Sequence, residues 1–322
     1  TPNLGCVTTQ TFTINRDAPT YSLPLSAMTI QDNLNCSNPN GSITIDGVRI
    51  DGVFEDFSTT GDTYTINWTG LPGTATLNTV NFANDQVNGI EGGTYTVDVL
   101  NDRTGCTVSA DVVLDDVTSN PLVQLVIKQP DEYCDNTGFQ GNGSLELRIV
   151  HEGNNPANPT DYNITWYRGN GTGTTLASAP GSSVLAGSGT QLSGLSSGIY
   201  TVVVTKNGTP NDQCLTTTTF SIEKDIPLFS IQTSSVVIAH NTNCTNPNGS
   251  IQLSNVVVDG VVRDLATFGA DYAFTWPDGY NGGTPGSINS PNDIATGLPA
   301  GTYKIIGENV ATGCATDTIN VI

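Results

Sequence analysis

Charge is scarce in this chain, and positive charge scarcest. Of 322 residues, 12% are charged, with ten Lys and Arg against thirty Asp and Glu, a formal charge of −20. Nucleic-acid binding needs clustered cations that displace counterions from phosphates, so no nucleic-acid partner is expected. An anionic membrane surface is disfavoured for the same reason. No apolar run approaches the roughly 20 residues of a membrane-crossing helix, so no direct membrane insertion is expected. Only two histidines are present, His151 and His240, and neither accompanies a recognisable Ser or Cys nucleophile motif. The chain is read as non-enzymatic and without a cofactor. Helical signal is lacking too, because no window carries a 3.6-residue apolar period.

What is abundant is Thr, Ser, Asn and Gly, arranged in copies. Cys36, Trp68, Gly93-Thr94-Tyr95 and Cys106 recur as Cys134, Trp166, Gly198-Ile199-Tyr200 and Cys214. They recur again as Cys244, Trp276, Gly301-Thr302-Tyr303 and Cys314. In each copy the Trp follows the first Cys by 32 residues. A period near a hundred residues exceeds the ~20–50 of a solenoid and fits one small β-domain.

Period-two alternation runs through Tyr64-Ile66-Trp68, Tyr162-Ile164-Trp166 and Tyr272-Phe274-Trp276, and again through Tyr95-Val97-Val99 and Tyr200-Val202-Val204; Tyr303 is the matching aromatic of the third copy. These aromatics are assigned to the core, in preference to a sugar-stacking platform. Asn40-Gly41, Asn142-Gly143 and Asn248-Gly249 are read as tight turns before the next strand. The expected fold is all-β: tandem immunoglobulin-like antiparallel sandwiches. Acidic-then-Pro junctions place repeat 1 at 18–117, repeat 2 at 118–225 and repeat 3 at 226–322, joined by restricted hinges in an extended rod. Leu4–Ile14 resembles Gln213–Ile222, so residues 1–17 are read as the closing strand of a preceding repeat, leaving Cys6 unpaired in this segment. The middle repeat carries an enlarged loop over 169–194.

Cysteines at matched positions point to disulfides and an oxidising compartment, whereas no Cys-x-x-Cys or nearby His pair supports zinc. Equivalence of the copies suggests one bond per repeat: Cys36–Cys106, Cys134–Cys214 and Cys244–Cys314. A ~70-residue loop would contribute roughly 4 kcal/mol in the chain-entropy model. Ca2+ has the stronger metal signal, because Asp17, Asp116 and Asp225 recur at junctions; turn capping is the simpler account. Asp51, Glu55 and Asp56, partly mirrored by Asp259 and Asp264, are read as solvent-facing rather than as a hydrolytic pair.

The order Cys, Asn-Gly-Ser, Tyr-x-x-x-Trp, Gly-x-Tyr, Gly-Cys resembles the SprB-type repeats of Bacteroidota surface proteins. Here it is carried by Asn40-Gly41-Ser42-Ile43, Tyr64 to Trp68, Gly93-Thr94-Tyr95 and Thr104-Gly105-Cys106, and by the corresponding runs from Asn248 to Cys314. The resemblance implies a very large exported adhesin or filament, secreted by the type IX system and placed at the cell surface. Asp317-Thr318-Ile319 resembles the O-glycosylation motif of that phylum. The leading expectation is therefore a structural or adhesive segment whose partners are neighbouring repeats, surface glycans or other surface proteins. A self-assembling extracellular filament with strand exchange, or a glycan-binding accessory region of a secreted enzyme, are the alternatives.

Overall fold

Alternating side chains give each strand one dry and one wet face, and antiparallel ladders follow from that. The computed structural model describes residues 8–134, 140–173 and 189–322. They form two compact units, one of Thr1–Asn120 with Asn207–Cys214, the other of Pro121–Lys206 with Leu215–Ile322.

The first unit contains β1 (Tyr21–Ser22), β2 (Met28–Gln31), β3 (Gly41–Ile45), β4 (Gly47–Ile50), β5 (Val53–Asp56), β6 (Tyr64–Thr69), β7 (Thr76–Asn78), β8 (Gln86–Ile90), β9 (Gly93–Asn101) and β10 (Thr107–Leu114). One sheet runs β2-β3-β8-β7, a second β10-β9-β6, and β1-β4-β5 forms a short third. Ile43, Ile45, Val87 and Ile90 from the first sheet meet Ile66, Val97, Val99 and Val112 from the second, all at most 1% exposed. The two sheets thus share one core, as in a sandwich.

The second unit begins with β11 (Leu122–Gln129), β12 (Gln140–Val150), β13 (Tyr162–Arg168), β14 (Gln191–Leu195), β15 (Gly198–Lys206) and β16 (Leu215–Ile222), in sheets β11-β12-β14 and β13-β15-β16. It continues with β17 (Phe229–Ser230), β18 (Val236–Ala239), β19 (Gly249–Leu253), β20 (Asn255–Val258), β21 (Val261–Asp264), the single helical turn α1 (Leu265–Phe268), β22 (Tyr272–Thr275), β23 (Thr284–Gly286), β24 (Ile294–Leu298), β25 (Tyr303–Asn309), β26 (Cys314–Ala315) and β27 (Ile319–Val321). Here β18-β19-β24-β23 faces β22 and β25, and β25 also pairs with β26 and β27. Two separate cores result, one around Leu145, Tyr200 and Val202, the other around Leu253, Phe274 and Ile305.

The aromatic positions sit in these cores. Tyr64, Tyr95, Tyr162, Trp166, Tyr200, Tyr272, Trp276 and Tyr303 are at most 7% exposed, while Trp68 is half-buried against the first core. Each Trp indole N–H donates to a loop carbonyl: Asn84 at 2.8 Å, Gly189 at 3.0 Å and Asn292 at 3.0 Å. Each Tyr of the Gly-x-Tyr runs donates its hydroxyl to the carbonyl four residues earlier: Glu91 at 2.7 Å, Ser196 at 2.7 Å and Pro299 at 2.8 Å. These are tyrosine corners of the immunoglobulin-like kind. Gly-x-Tyr therefore marks the corner where the chain enters β9, β15 and β25.

Two sequence readings change. Asn-Gly is not a hairpin turn: Gly41 and Gly249 open β3 and β19, lying so close to the facing strand that an added Cβ would fall 2.5 Å from Ile90 O and 2.7 Å from Leu298 O. The glycine is required by that close approach. Residues 8–17 form no strand and are exposed, with Phe12 78% and Ile14 96% exposed. Cys6, and residues 174–188 of the enlarged loop, lie outside the described residues.

Candidate functional site

Each repeat places its two cysteines at opposite ends of the sandwich. Cys36 follows the loop where Asn33 bridges Asp116, beside Gly92 and the start of β9. Cys106 lies past the far end of β9, where its carbonyl accepts the Asn101 N–H at 2.9 Å. Nine residues of strand separate these poles by roughly 26 Å. A disulfide tolerates a Cα–Cα distance of at most about 7 Å. The expected bonds Cys36–Cys106, Cys134–Cys214 and Cys244–Cys314 are therefore not formed.

The sulfurs pair one repeat further on instead. Cys36 bonds Cys214 and Cys134 bonds Cys314, each with a Cα–Cα distance of 4.9 Å. Cys106 and Cys244 are free thiols, Cys106 half-buried and Cys244 exposed. The leading cysteine of one repeat thus meets the closing cysteine of its successor. Equivalence of copies left this pairing open, because a bond within each repeat and a bond to the next have the same periodicity.

The leading half of each junction is one loop built three times. An Asx three residues before the Cys and the Asn of the following Asn-Gly pair hold it in shape. Asn40 Oδ1 accepts the Leu34 N–H at 2.7 Å, Asn142 Oδ1 accepts Glu132 N–H at 2.7 Å, and Asn248 Oδ1 accepts Thr242 N–H at 2.8 Å. Asn33, Asp131 and Asn241 in turn accept the N–H two residues on, at 3.2, 3.2 and 3.1 Å. These are Asx turns, which pre-shape the backbone without a partner.

The closing half in repeats 1 and 3 is equally regular. Asn101 Oδ1 accepts Arg103 and Thr104 N–H at 3.1 and 2.9 Å, and Asn309 Oδ1 accepts Ala311 and Thr312 N–H at 3.0 Å each. Asn101 also donates to Asp62 at 2.9 Å, and Arg103 reaches the same carboxylate at 2.6 Å. Asn101 first and Arg103 second hold the Asp62 carboxyl below its usual pKa.

Where the halves meet, the backbone closes around the sulfurs. In the first unit Cys36 N–H donates to Asp212 O at 3.1 Å and Asn211 N–H to Leu34 O at 2.5 Å. Asn211 Oδ1 accepts Ser119 N–H at 2.6 Å, and Asp212 N–H reaches Asn35 Oδ1 at 3.3 Å. In the second unit Cys134 N–H donates to Thr312 O at 2.9 Å. Both junctions share one rule: the leading Cys N–H donates to the carbonyl two residues before the closing Cys. Next to the second, Asp131 is fully buried, accepts Ser197 N–H at 2.9 Å and pairs with Lys224 at 3.1 Å.

The remaining candidates have local work. Asp116 accepts Asn33 Nδ2 at 3.2 Å, Asp225 donates its N–H to Asp131 O at 3.0 Å, and Asp17 is exposed. Among the described residues, no three His, Cys, Asp or Glu side chains gather as a metal group. Asp51 and Asp259 sit in the β4–β5 and β20–β21 hairpin turns at φ 49° and 51°, accepting Thr20 and Leu228 N–H at 2.9 and 2.8 Å. Asp56 accepts the Ser58 hydroxyl and N–H, which lower its pKa; Asp264 caps α1 through Ala266 N–H at 3.0 Å. His151 is buried with Nδ1 3.0 Å from Tyr162 Oη, and His240 is exposed.

Sequence reasoning missed Asp85 and Asp293. Both are fully buried. Asp85 accepts the N–H groups of Val80, Asn81 and Phe82 at 2.7, 2.6 and 2.9 Å. Asp293 does the same for Ile288, Asn289 and Ser290 at 2.7, 2.8 and 3.1 Å. The available signal was Asn84-Asp85 and Asn292-Asp293, each Asn 16 residues after its Trp.

No family model matches the sequence, and no curated protein matches it. Similar solved structures include zebrafish RET cadherin-like domains 1 to 4, at 11% identity, TM-score 0.23, covering 80% of this chain and 64% of that one. The N-terminal eight Ig domains of Down Syndrome Cell Adhesion Molecule are 10% identical, with TM-score 0.28 and 91% and 36% covered. The Escherichia coli adhesin FdeC is 12% identical, with TM-score 0.24 and 95% and 99% covered. The chain spans less than two thirds of the first two. Overlays at these scores are loose, so the immunoglobulin-like assignment rests on the strand registers and tyrosine corners. Among the described residues no helix is long and apolar enough to cross a membrane.

Proposed function

We propose that this chain is a non-catalytic, load-bearing segment of a large extracellular surface protein of the SprB type, exported by a Bacteroidota type IX system. Its repeats carry a distal adhesive region away from the cell. The observation that carries the reading is the stagger of the two disulfides. Bonds spanning 178 and 180 residues overlap, so every residue from Cys36 to Cys314 lies inside at least one covalent loop. A bond confined to each repeat would leave the junctions free to stretch. Staggered bonds protect the junctions as well, which suits a tether under tension. Abundant acidic charge keeps such a tether soluble at high local density.

Single-molecule stretching between the chain ends tests this. With both bonds intact the chain should extend to about 125 residues, roughly 44 nm of contour, along the route 1–36, 214 back to 134 and 314–322; after reduction it should extend to its full length, roughly 110 nm. Equal contour lengths before and after reduction would refute the load-bearing reading.

A second reading is favoured by the exposed, unpaired residues 8–17, with Phe12 and Ile14 bare. In that reading they complete the sandwich of a neighbouring molecule and the chain polymerises into a filament. Sedimentation of the chain with and without residues 1–17 separates the two. Concentration-dependent polymers that vanish on deletion favour the filament, and monomers in both cases reject it.

A further inference from the structure

The geometry points to Cys106 and Cys244 as the two open halves of further clasps, each built to bond a cysteine of another repeat of this same design. The inference concerns what these poles bind and stands apart from the mechanical role proposed above.

Three observations converge. First, the halves are already shaped. The loop ahead of Cys244 has the same hydrogen bonds as the loop ahead of Cys36: Asn248 to Thr242 N–H, Asn241 to Asn243 N–H at 3.1 Å, and Asn248 N–H to Asn241 Oδ1 at 3.0 Å. The loop ahead of Cys106 likewise matches that ahead of Cys314, including Gly105 N–H to Asn101 O at 2.9 Å and Gly313 N–H to Asn309 O at 2.8 Å. Both matched positions, Cys36 and Cys314, are bonded.

Second, the main-chain groups that zip the occupied clasps are unused here. Cys36 and Cys134 donate their N–H groups across the junction. Among the described residues the Cys244 N–H meets no acceptor. Thr312 O accepts from Cys134, while its counterpart Thr104 O accepts from no main-chain N–H among the described residues. Among the described residues, one pole thus has an unused main-chain donor and the other an unused main-chain acceptor.

Third, the residues beside the leading cysteine, and the closing cysteine itself, are more buried in the closed clasps, although the leading cysteines Cys36, Cys134 and Cys244 are exposed whether bonded or not. In the closed clasp Asn33 and Asn35 are 2% and 8% exposed and Cys314 is 1% exposed. Their counterparts at the open poles are half-buried Asn241, exposed Asn243 and half-buried Cys106.

The poles differ in type, which sets polarity. Cys106 is a closing cysteine, so it takes the leading cysteine of a preceding repeat. Cys244 is a leading cysteine, so it takes the closing cysteine of a following repeat. Each bond forms by thiol–disulfide exchange. The two thiols give up two protons and two electrons to a disulfide oxidant of the oxidised-glutathione class, which leaves as two thiols. Every repeat would then be bonded to both neighbours, in one continuous ladder.

The test is a disulfide map of the native, unreduced surface protein, with free thiols blocked by iodoacetamide before trypsin digestion. Cleavage at Arg103, Lys128, Lys224 and Arg263 isolates Cys106 and Cys244 on separate peptides. The expected result is Cys106 joined to a cysteine that a Trp follows some 32 residues later, and Cys244 joined to one that a Gly-x-Tyr precedes. Recovery of either residue alkylated, joined to a cysteine of its own type, or joined to a protein without these repeats would overturn the inference. The Cys36–Cys214 peptide in the same digest reports that the fold survived sampling. Because the map is read without force, it can fail while the stretching result stands, and the reverse.

Discussion

The middle repeat and its two neighbours share a framework but are secured differently. Repeats 1 and 3 each plug the loop beneath their Trp with a buried carboxylate, Asp85 or Asp293, and each carries a β4–β5 or β20–β21 hairpin. At those places the middle repeat has Gly189 under Trp166 and a short turn bridging His151 to Asn154. In exchange, both its cysteines are bonded, whereas repeats 1 and 3 use one each. The difference teaches that this sandwich needs its Trp contact, its tyrosine corner and its Asx loop, while the device that stiffens the remainder can change.

Reduction should therefore hit the middle repeat hardest. Each bond closes a loop of nearly two hundred residues, worth about 5 kcal/mol in the chain-entropy model. Each repeat has a single Trp, so variants retaining only Trp68, Trp166 or Trp276 report the repeats one at a time. In urea with reductant, Trp166 fluorescence should move to the lowest midpoint; equal shifts at all three would erase the contrast.

Asp85→Ala and Asp293→Ala should come next. Each leaves three loop N–H groups without their acceptor, a loss of about 3 kcal/mol or more. The effect should appear in the Trp68 or Trp276 transition and not in that of Trp166. Removing a hydroxyl from a tyrosine corner is milder and shared: Tyr95→Phe, Tyr200→Phe and Tyr303→Phe should each cost about 1 kcal/mol in the same assay.

Two pH effects sharpen the contrast further. Burial pushes the Tyr64 and Tyr162 phenols up to about 12, against 10 in an unfolded chain. Neutral phenol is favoured in the fold, so this contribution is complete below pH 10 and fades as pH rises towards 12. Tyrosinate absorbance should then rise together with unfolding in repeats 1 and 2, rather than ahead of it. The smallest effect is at Asp62, whose pKa lies below 3.8 in the fold. Its contribution is present above that value and is lost as pH falls through the folded pKa. Asn101→Ala should raise the Asp62 pKa in a carboxylate NMR titration, leaving Asp56 where it is.

Much of this was legible in residues. Period two in Tyr64-Ile66-Trp68 fixes a face, and a face defines a core, so the sandwich and its aromatics followed from local pattern. Gly-x-Tyr was visible but its meaning as a corner was not, because the hydrogen bond returns to a carbonyl that has no sequence signature. Asn-Gly suggested a turn on local propensity, but tertiary packing of Gly41 against Ile90 decided its role. The disulfides failed for a different reason. Copy number says which cysteines are alike, and the nine-residue length of β9 says which can touch. Only the second is geometry.

The most direct test of the staggered ladder is a non-reducing tryptic map of the isolated, folded chain with free thiols blocked. This account predicts Cys36 linked to Cys214 and Cys134 linked to Cys314, with Cys106 and Cys244 carrying the blocking group. Linkage of Cys36 to Cys106 and of Cys244 to Cys314 would contradict it.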